Sequence, residues 1–175
     1  TCLADNNANG ICDNAEVLGC LVENALNFDA AANVDDGSCL FATDLPENLA
    51  YVATPASGLL LGTVVLDNEP VTEPALLAAF NPQGLCVGWN PVIGIDGVTV
   101  VALAIYGNDL TSPEVDGLQP NEAFNLGLYL VDSDTLVPYT LQGNEVGLEG
   151  WMNTNGTPLP DYADVQEIYN FYLFP

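Results

Sequence analysis

The chain contains no lysine, no arginine and no histidine, and its 24 aspartates and glutamates give it a formal charge of -24 over 175 residues. Ordinary chains mix both signs at roughly a quarter of all residues, so losing one sign entirely reflects selection or an unusual setting. With no cationic side chain, carboxylates must be balanced by metal, solvent ions, the N-terminal amine or a partner. Nucleic acids and anionic membrane surfaces are strongly disfavoured as ligands, because binding either draws on protein cations. Nucleophilic catalysis lacks a histidine or lysine base, phosphate-cradling glycine loops are absent, and surplus carboxylates alone give a paired-acid glycosidase no support; the expectation is no enzyme. No apolar run reaches 18 residues, so no membrane insertion is expected, and no basic leader is visible. The sequence therefore reads as a mature fragment or an excised repeat. Trypsin-type cleavage sites are absent too, which suits exposure to secreted proteases.

What is present is enough to fold. Hydrophobic residues make up 49% of the chain and charged ones 14%, which argues against disorder. Five cysteines are placed unevenly, with Cys2, Cys12, Cys20 and Cys39 in the first stretch and Cys86 alone beyond it. That clustering reads as a disulfide-stapled module in an oxidising compartment. Four cysteines allow three pairings, and sequence order favours Cys2–Cys12 and Cys20–Cys39. Cys86, in the apolar "GLCVGW", reads as a buried free thiol. Without CxxC or histidine, zinc is not expected.

The texture changes along the chain. Residues 1–41 are rich in Asn, Asp, Ala and Cys and carry no core-building periodicity, so they need disulfides or metal to hold shape. From residue 48 to 175, short β-rich runs alternate with Gly, Pro, Asn and Asp clusters: 50–54, 58–66, 75–80, 85–89, 98–106, 123–131, 136–141 and 167–174. Such a series predicts an all-β fold, an Ig-like β-sandwich preceded by a small module, with the boundary near Ala42–Pro46. Alternation places Phe124, Leu126, Leu128 and Leu130 on one face and Asn125, Gly127, Tyr129 and Val131 on the other. The one helical turn expected lies around Asn14–Leu18.

The most specific chemistry is in "DNNANGICDNAE", Asp5 to Glu16. Oxygen-bearing side chains fall at the first, third, fifth, ninth and twelfth positions, with glycine at the sixth. Calcium takes six to eight hard oxygen ligands, and alternating positions of a tight loop converge to supply them. Asp5, Asn7 and Asn9 read as monodentate ligands, Ile11 as a carbonyl ligand, Asp13 as a direct or water-mediated one and Glu16 as the bidentate closer. Asn in place of Asp at two positions lowers the ligand charge and points to weak, extracellular-type affinity, about 10⁻⁴–10⁻³ M.

The stretch "TCLADNNANGICDNAEVLGCLVENALNFDAAANVDDGSCLF" resembles the tandem cysteine-bearing repeats of large secreted proteins of Bacteroidota. There a thrombospondin-type-3-like DxDxNGxCD segment leads into a GCxDxxAxNYxxxAxxDDGSC unit. Cys12, Cys20, Asn27, Asp35, Asp36, Gly37 and Cys39 stand at matching positions, while Asn7, Asn9 and Leu21-Val22-Glu23 depart from the pattern. The resemblance implies a second calcium site among Asn24, Asn27, Asp29, Asp35 and Asp36; a disulfide-closed polar loop is the alternative. Residues 75–132 are similar to β-sandwich modules of cell-surface and type IX-secreted proteins of the same bacteria, which implies surface display rather than catalysis.

Three further features bear on function. Asp109, Glu114 and Asp116 share the loop "GNDLTSPEVDG", where a metal or a solvated acidic loop are the two readings. Thr135, in Asp134-Thr135-Leu136, resembles an O-glycosylation site of Bacteroidota, and Asn155-Gly156-Thr157 fits an N-glycosylation acceptor. The favoured function is a secreted, calcium-stabilised structural or adhesive repeat of a surface protein or filament, with calcium as cofactor and neighbouring copies and glycans as partners. A carbohydrate-binding accessory module is the alternative, with Trp89, Tyr106, Trp151, Tyr162, Tyr169 and Tyr172 as platform candidates. The apolar C-terminal run "EIYNFYLF" reads as an edge strand able to pair with a neighbouring subunit.

Overall fold

The structure, a computed structural model, describes residues 4–140 and 167–173. The chain divides into two compact units, Thr1–Leu45 and Pro46–Pro175.

In the first unit only Cys20 and Ala25 are buried hydrophobic residues among those described. A core that small contributes little, and other bonds take its place. The Cys20–Cys39 disulfide ties residues 19 apart. Cys12 is also disulfide-bonded, and Cys2 lies outside the described residues. A two-residue parallel pair joins β1 (Leu18–Gly19) to β2 (Val34–Asp35). Two asparagines stitch the rest. Asn33 accepts from Val17 N at 2.9 Å and donates to Ala15 O at 2.9 Å, while Asn27 donates to Ser38 O at 2.7 Å and accepts from Leu40 N at 2.8 Å. The helical turn expected around Asn14–Leu18 is a single 3-10 turn, Asp13–Ala15. Asn33 takes over the backbone groups that a continuing helix would have paired, and Leu18 enters a strand instead.

The second unit is a β-sandwich. One sheet has the order β10 (Thr135–Pro138), β9 (Asn125–Leu130), β5 (Ala75–Phe80), β6 (Cys86–Pro91). The other runs β11 (Ile168–Phe171), β3 (Ser57–Leu66), β8 (Val98–Tyr106), β7 (Ile93–Ile95), with the short β4 (Glu69–Pro70) also on β3. Strand period explains the core: Leu60 and Val64 of β3, Val101, Leu103 and Ile105 of β8, and Leu126, Leu128 and Leu130 of β9 point inward together. Phe124 joins them, so the predicted inward face of β9 is the observed one. The run "ALLAAF" does not alternate, because side chains on both faces of β5, Leu76 and Ala78 on one and Leu77 on the other, are buried.

Turn chemistry fixes the hairpins. Asp67 and Asn68 (φ 52° and 67°) join β3 to β4, and Asp96 and Gly97 (φ 49° and 82°) join β7 to β8; both adopt the left-handed pair that suits a two-residue hairpin loop. Along one side the sheets meet, where Asn90 Oδ1 of β6 accepts from Ala104 N of β8 at 2.8 Å. Gly88 is required there, since a Cβ would collide with Ala104 O.

The run 50–54, read as a strand, joins no sheet. Pro55 cannot donate to a ladder, and Thr54 is held by its side chain instead, donating to Ala56 O at 2.9 Å and Gly107 O at 2.6 Å.

Candidate metal centre

Residues 4–16 form a closed turn built on positive backbone torsions at Ala8 (φ 55°) and Gly10 (φ 89°). Glycine meets the left-handed requirement at the sixth position without strain, which is the role its place in the motif assigns it. The Asp5 carboxylate caps the turn from inside: Oδ1 accepts from Asn9 N and Oδ2 from Gly10 N, each at 3.1 Å. Asn7 Oδ1 accepts from Asn9 N at 3.1 Å, and Asn9 Oδ1 from Ile11 N at 2.8 Å. The carboxamides of Asn7 and Asn9 both donate to the same oxygen, Glu16 Oε1, at 2.9 Å.

This arrangement follows from the missing cations. With no ammonium or guanidinium to face Glu16, the strongest donors in reach are two neutral carboxamides converging from positions three and five of the loop. An amide N–H stands where a cation would otherwise bridge. Hydrogen bonds thus link Asp5, Asn7, Asn9 and Glu16, whose carboxylate and carboxamide oxygens are of the donor type calcium takes. Ile11 joins this network through its N–H, whereas the spacing assigned its carbonyl as the ligand. Asp13 does not: its carboxylate accepts from Asn6 N at 2.9 Å and Asn6 Nδ2 at 2.6 Å, and no hydrogen bond joins it to the other four. Among the described residues no three acidic or cysteine side chains converge closely enough to hold a metal by themselves.

No hydrogen bond joins the residues expected to form a second site to one another, and their acids form no group of three in metal-holding range among the described residues. Asp29, Asp35 and Asp36 each accept one local backbone N–H, from Ala31 (2.8 Å), Gly37 (2.9 Å) and Ser38 (2.9 Å). Asn27 is committed to its bridge to Ser38 and Leu40, and Asn24 makes no hydrogen bond to this group. Hydrogen bonding by the Ser38 side chain and backbone holds the Asp36 carboxyl below its ordinary 3.8.

In the loop after β8, Asp109 Oδ1 accepts from Thr111 N (2.8 Å) and Thr111 Oγ1 (2.7 Å), and Asp116 Oδ1 accepts from Asp109 N (2.8 Å). The Thr111 bonds, backbone first, lower the Asp109 pKa from 3.8. Ser112 reaches the Glu114 carbonyl at 2.8 Å, and no hydrogen bond engages the Glu114 carboxylate. Asp109 and Asp116 thus accept from donors within the loop, while the Glu114 carboxylate does not.

Cys86 is buried and free, as its apolar setting predicted; burial pushes its thiol up to about 11. Thr135 is exposed and donates to Ser133 O at 3.0 Å, beside Asp134, which accepts from Tyr129 OH at 2.7 Å. Of the platform aromatics, Tyr169 is core, Tyr172 accepts from Asn170 Nδ2 at 2.9 Å, and Trp151 and Tyr162, like Asn155, lie outside the described residues. Trp89 and Tyr106 are half-buried and gather around Tyr51, Tyr106 stacked on it at 5.4 Å and Trp89 edge-on at 5.7 Å.

Asn33 and Asn6 went unread in the sequence. Asn33 carried one signal, a lone polar residue between Ala32 and Val34; Asn6 carried none, since position two of the loop has no fixed chemistry. Compared with protein-family models, curated proteins and solved structures, the chain matches none.

Proposed function

We propose that the protein is a secreted, calcium-stabilised structural or adhesive repeat of a cell-surface protein or filament. The observation that carries this reading is the Asp5–Glu16 network, where two carboxamides share one glutamate oxygen in a chain without a single cationic side chain. Calcium, replacing those N–H donors, gives Glu16 and Asp5 the positive charge the chain itself cannot supply. Binding of that kind stabilises the ordered loop in proportion to ligand concentration. The Cys20–Cys39 disulfide supports an oxidising, extracellular setting. The resemblance of the first 41 residues to tandem repeats of secreted Bacteroidota proteins supports the same location. The experiment is calorimetric titration with calcium chloride of the intact chain and of Glu16→Gln. Binding near about 10⁻⁴–10⁻³ M that the substitution weakens several-fold supports the reading, and no heat of binding in either chain refutes it.

A second reading, a carbohydrate-binding accessory module, is favoured by the Tyr51–Trp89–Tyr106 cluster, since aromatic faces stack on sugar rings. Against it, Trp89 Nε1 already donates to Leu49 O at 2.9 Å and the rings are spent largely on one another. Glycan-array binding lost in Trp89→Ala would favour the module; a blank array favours the structural repeat.

A further inference from the structure

We propose that the position beside β3 filled by β11 is also a docking site for the same segment of a second copy, so that the sandwich links to a neighbour by exchanging its last strand. This deepens the structural-repeat reading by naming the partner, and its evidence lies wholly in the second unit, apart from the calcium loop.

The pairing itself is unlike its neighbours. β11 lies parallel to β3, with Ile168 opposite Thr63 and Phe171 opposite Leu66, whereas every other strand pairing described in the sandwich is antiparallel. An antiparallel strand can be delivered by a short hairpin that holds it in place within one chain. A parallel strand cannot, and needs a connection of about a dozen residues or more. Residues 141–166 separate β10 from β11 in sequence, and a stretch of that length spans up to about 85 Å when extended. Among the described residues β11 has one strand neighbour. Nothing in this connectivity requires its chain to be the one that carries β3.

The site is selective for the segment it holds. Gly62 leaves a notch in β3 that the Tyr169 ring fills, since any Cβ there would strike that ring. Asn170 and Asn68 pair reciprocally, Asn170 Nδ2 donating to Asn68 Oδ1 at 2.6 Å and Asn68 N donating to Asn170 Oδ1 at 3.1 Å. Thr63 N donates to Glu167 O at 2.8 Å and Asp67 N to Phe171 O at 2.7 Å. The Tyr139 ring lies 6.0 Å from that of Tyr169 and 5.1 Å from that of Phe171, both of which are fully buried. Such a slot, if vacated, exposes aromatic-sized apolar surface, and the best occupant is another Ile-Tyr-Asn-Phe.

Charge does not oppose the exchange locally. Residues 168–173 and 62–66 carry no ionisable acid, with Asp67 and Glu167 only at the ends. The remaining carboxylates repel two copies, but salt screens that beyond about 8–10 Å. Because contacts are the same within one chain and between two, the balance is set by concentration: a strand on the same chain competes at an effective concentration on the order of millimolar. Exchange therefore appears where copies are crowded to that level, as on a surface or along a filament.

The test uses the full chain in two forms, Thr63→Cys and Ile168→Cys, which place thiols at partnered positions of β3 and β11. Mixed, refolded together and oxidised, they yield a disulfide-linked dimer of the two forms, its fraction rising several-fold from about 10 μM to about 1 mM chain. A double variant carrying both cysteines links within itself at low concentration. If the double variant links but the mixture stays monomeric at every concentration, exchange is refuted; if neither links, the β11–β3 pairing is itself wrong and the proposal falls with it. Light scattering of the unmodified chain across the same range provides a readout free of engineered thiols, with oligomers expected and a monomer throughout contradicting exchange. Repeating the mixture with EDTA separates the two proposals, since linking persists without calcium whether or not the Asp5–Glu16 loop binds it.

Discussion

The two units solve the same problem with different means. Among the described residues, the second buries seventeen in one hydrophobic cluster drawn from both sheets, while the first buries two hydrophobic residues and relies on disulfides and the amides of Asn27 and Asn33. The comparison teaches where stability resides. In the sandwich it is spread over many interchangeable contacts, whereas in the N-terminal unit it sits in a few covalent and polar links, each of which matters.

The sharpest way to break the comparison is to strike each unit at its own support. Leu128→Ala removes a fully buried side chain from the middle of β9 and should cost about 2–5 kcal/mol in urea unfolding of the sandwich. Hydrogen exchange of residues 17–40 should stay unchanged. Replacing Cys20 and Cys39 together with alanine should do the reverse, costing the first unit about 2–4 kcal/mol and leaving the sandwich midpoint in place. Exchange-mass spectrometry, which resolves the two units separately, checks both.

Smaller effects sharpen it. Asn27→Ala orphans Ser38 O and Leu40 N and should cost about 1–3 kcal/mol, confined to the first unit. Acid acts on both units through Asp36 and Asp109, whose folded pKa values lie below 3.8. A depressed carboxyl stabilises above its unfolded pKa, and that contribution is lost as pH falls through the lower, folded value. Stability should therefore be flat near neutrality and decline below about pH 4, seen as a falling melting temperature. Alkali is felt in the sandwich through Cys86, as also through Tyr51 and Tyr129: the folded pKa of Cys86 is raised to about 11, so its contribution is complete below the unfolded value of 9.0 and lost as pH climbs through 11. In the native chain at pH 8 the thiol should resist alkylating reagents that label it at once in denaturant.

How much of this was legible in the sequence follows the same division. Alternation in 123–131 and the continuous run 75–80 announced β9 and β5, because burial on one face or both writes itself into residue spacing. The 98–106 run gave β8 at its observed limits. Pro55 and the Thr54 side chain overrode the β-like 50–54 run, an effect of one buried hydroxyl that periodicity does not register. In the first unit the loop spacing from Asp5 to Glu16 was readable, since a tight turn with glycine at its sixth position leaves few alternatives. The bond of Asp13 to Asn6 was not, because the adjacent side-chain amides of Asn6 and Asn7 are chemically equivalent until the backbone chooses. The local hydrogen bonds of Asp29, Asp35, Asp36, Asp109 and Asp116 were hidden for a related reason: the same sequence neighbours suit an acid that accepts from its own turn and one that does not.

The most direct measurement is hydrogen exchange of the backbone amides of Asn9, Gly10 and Ile11 in the intact chain, in millimolar calcium and in EDTA. Calcium-dependent protection, at least about tenfold at [Ca²⁺] ten times the dissociation constant, is the predicted result. Equal exchange rates in the two buffers would contradict a loop held closed by a divalent ion.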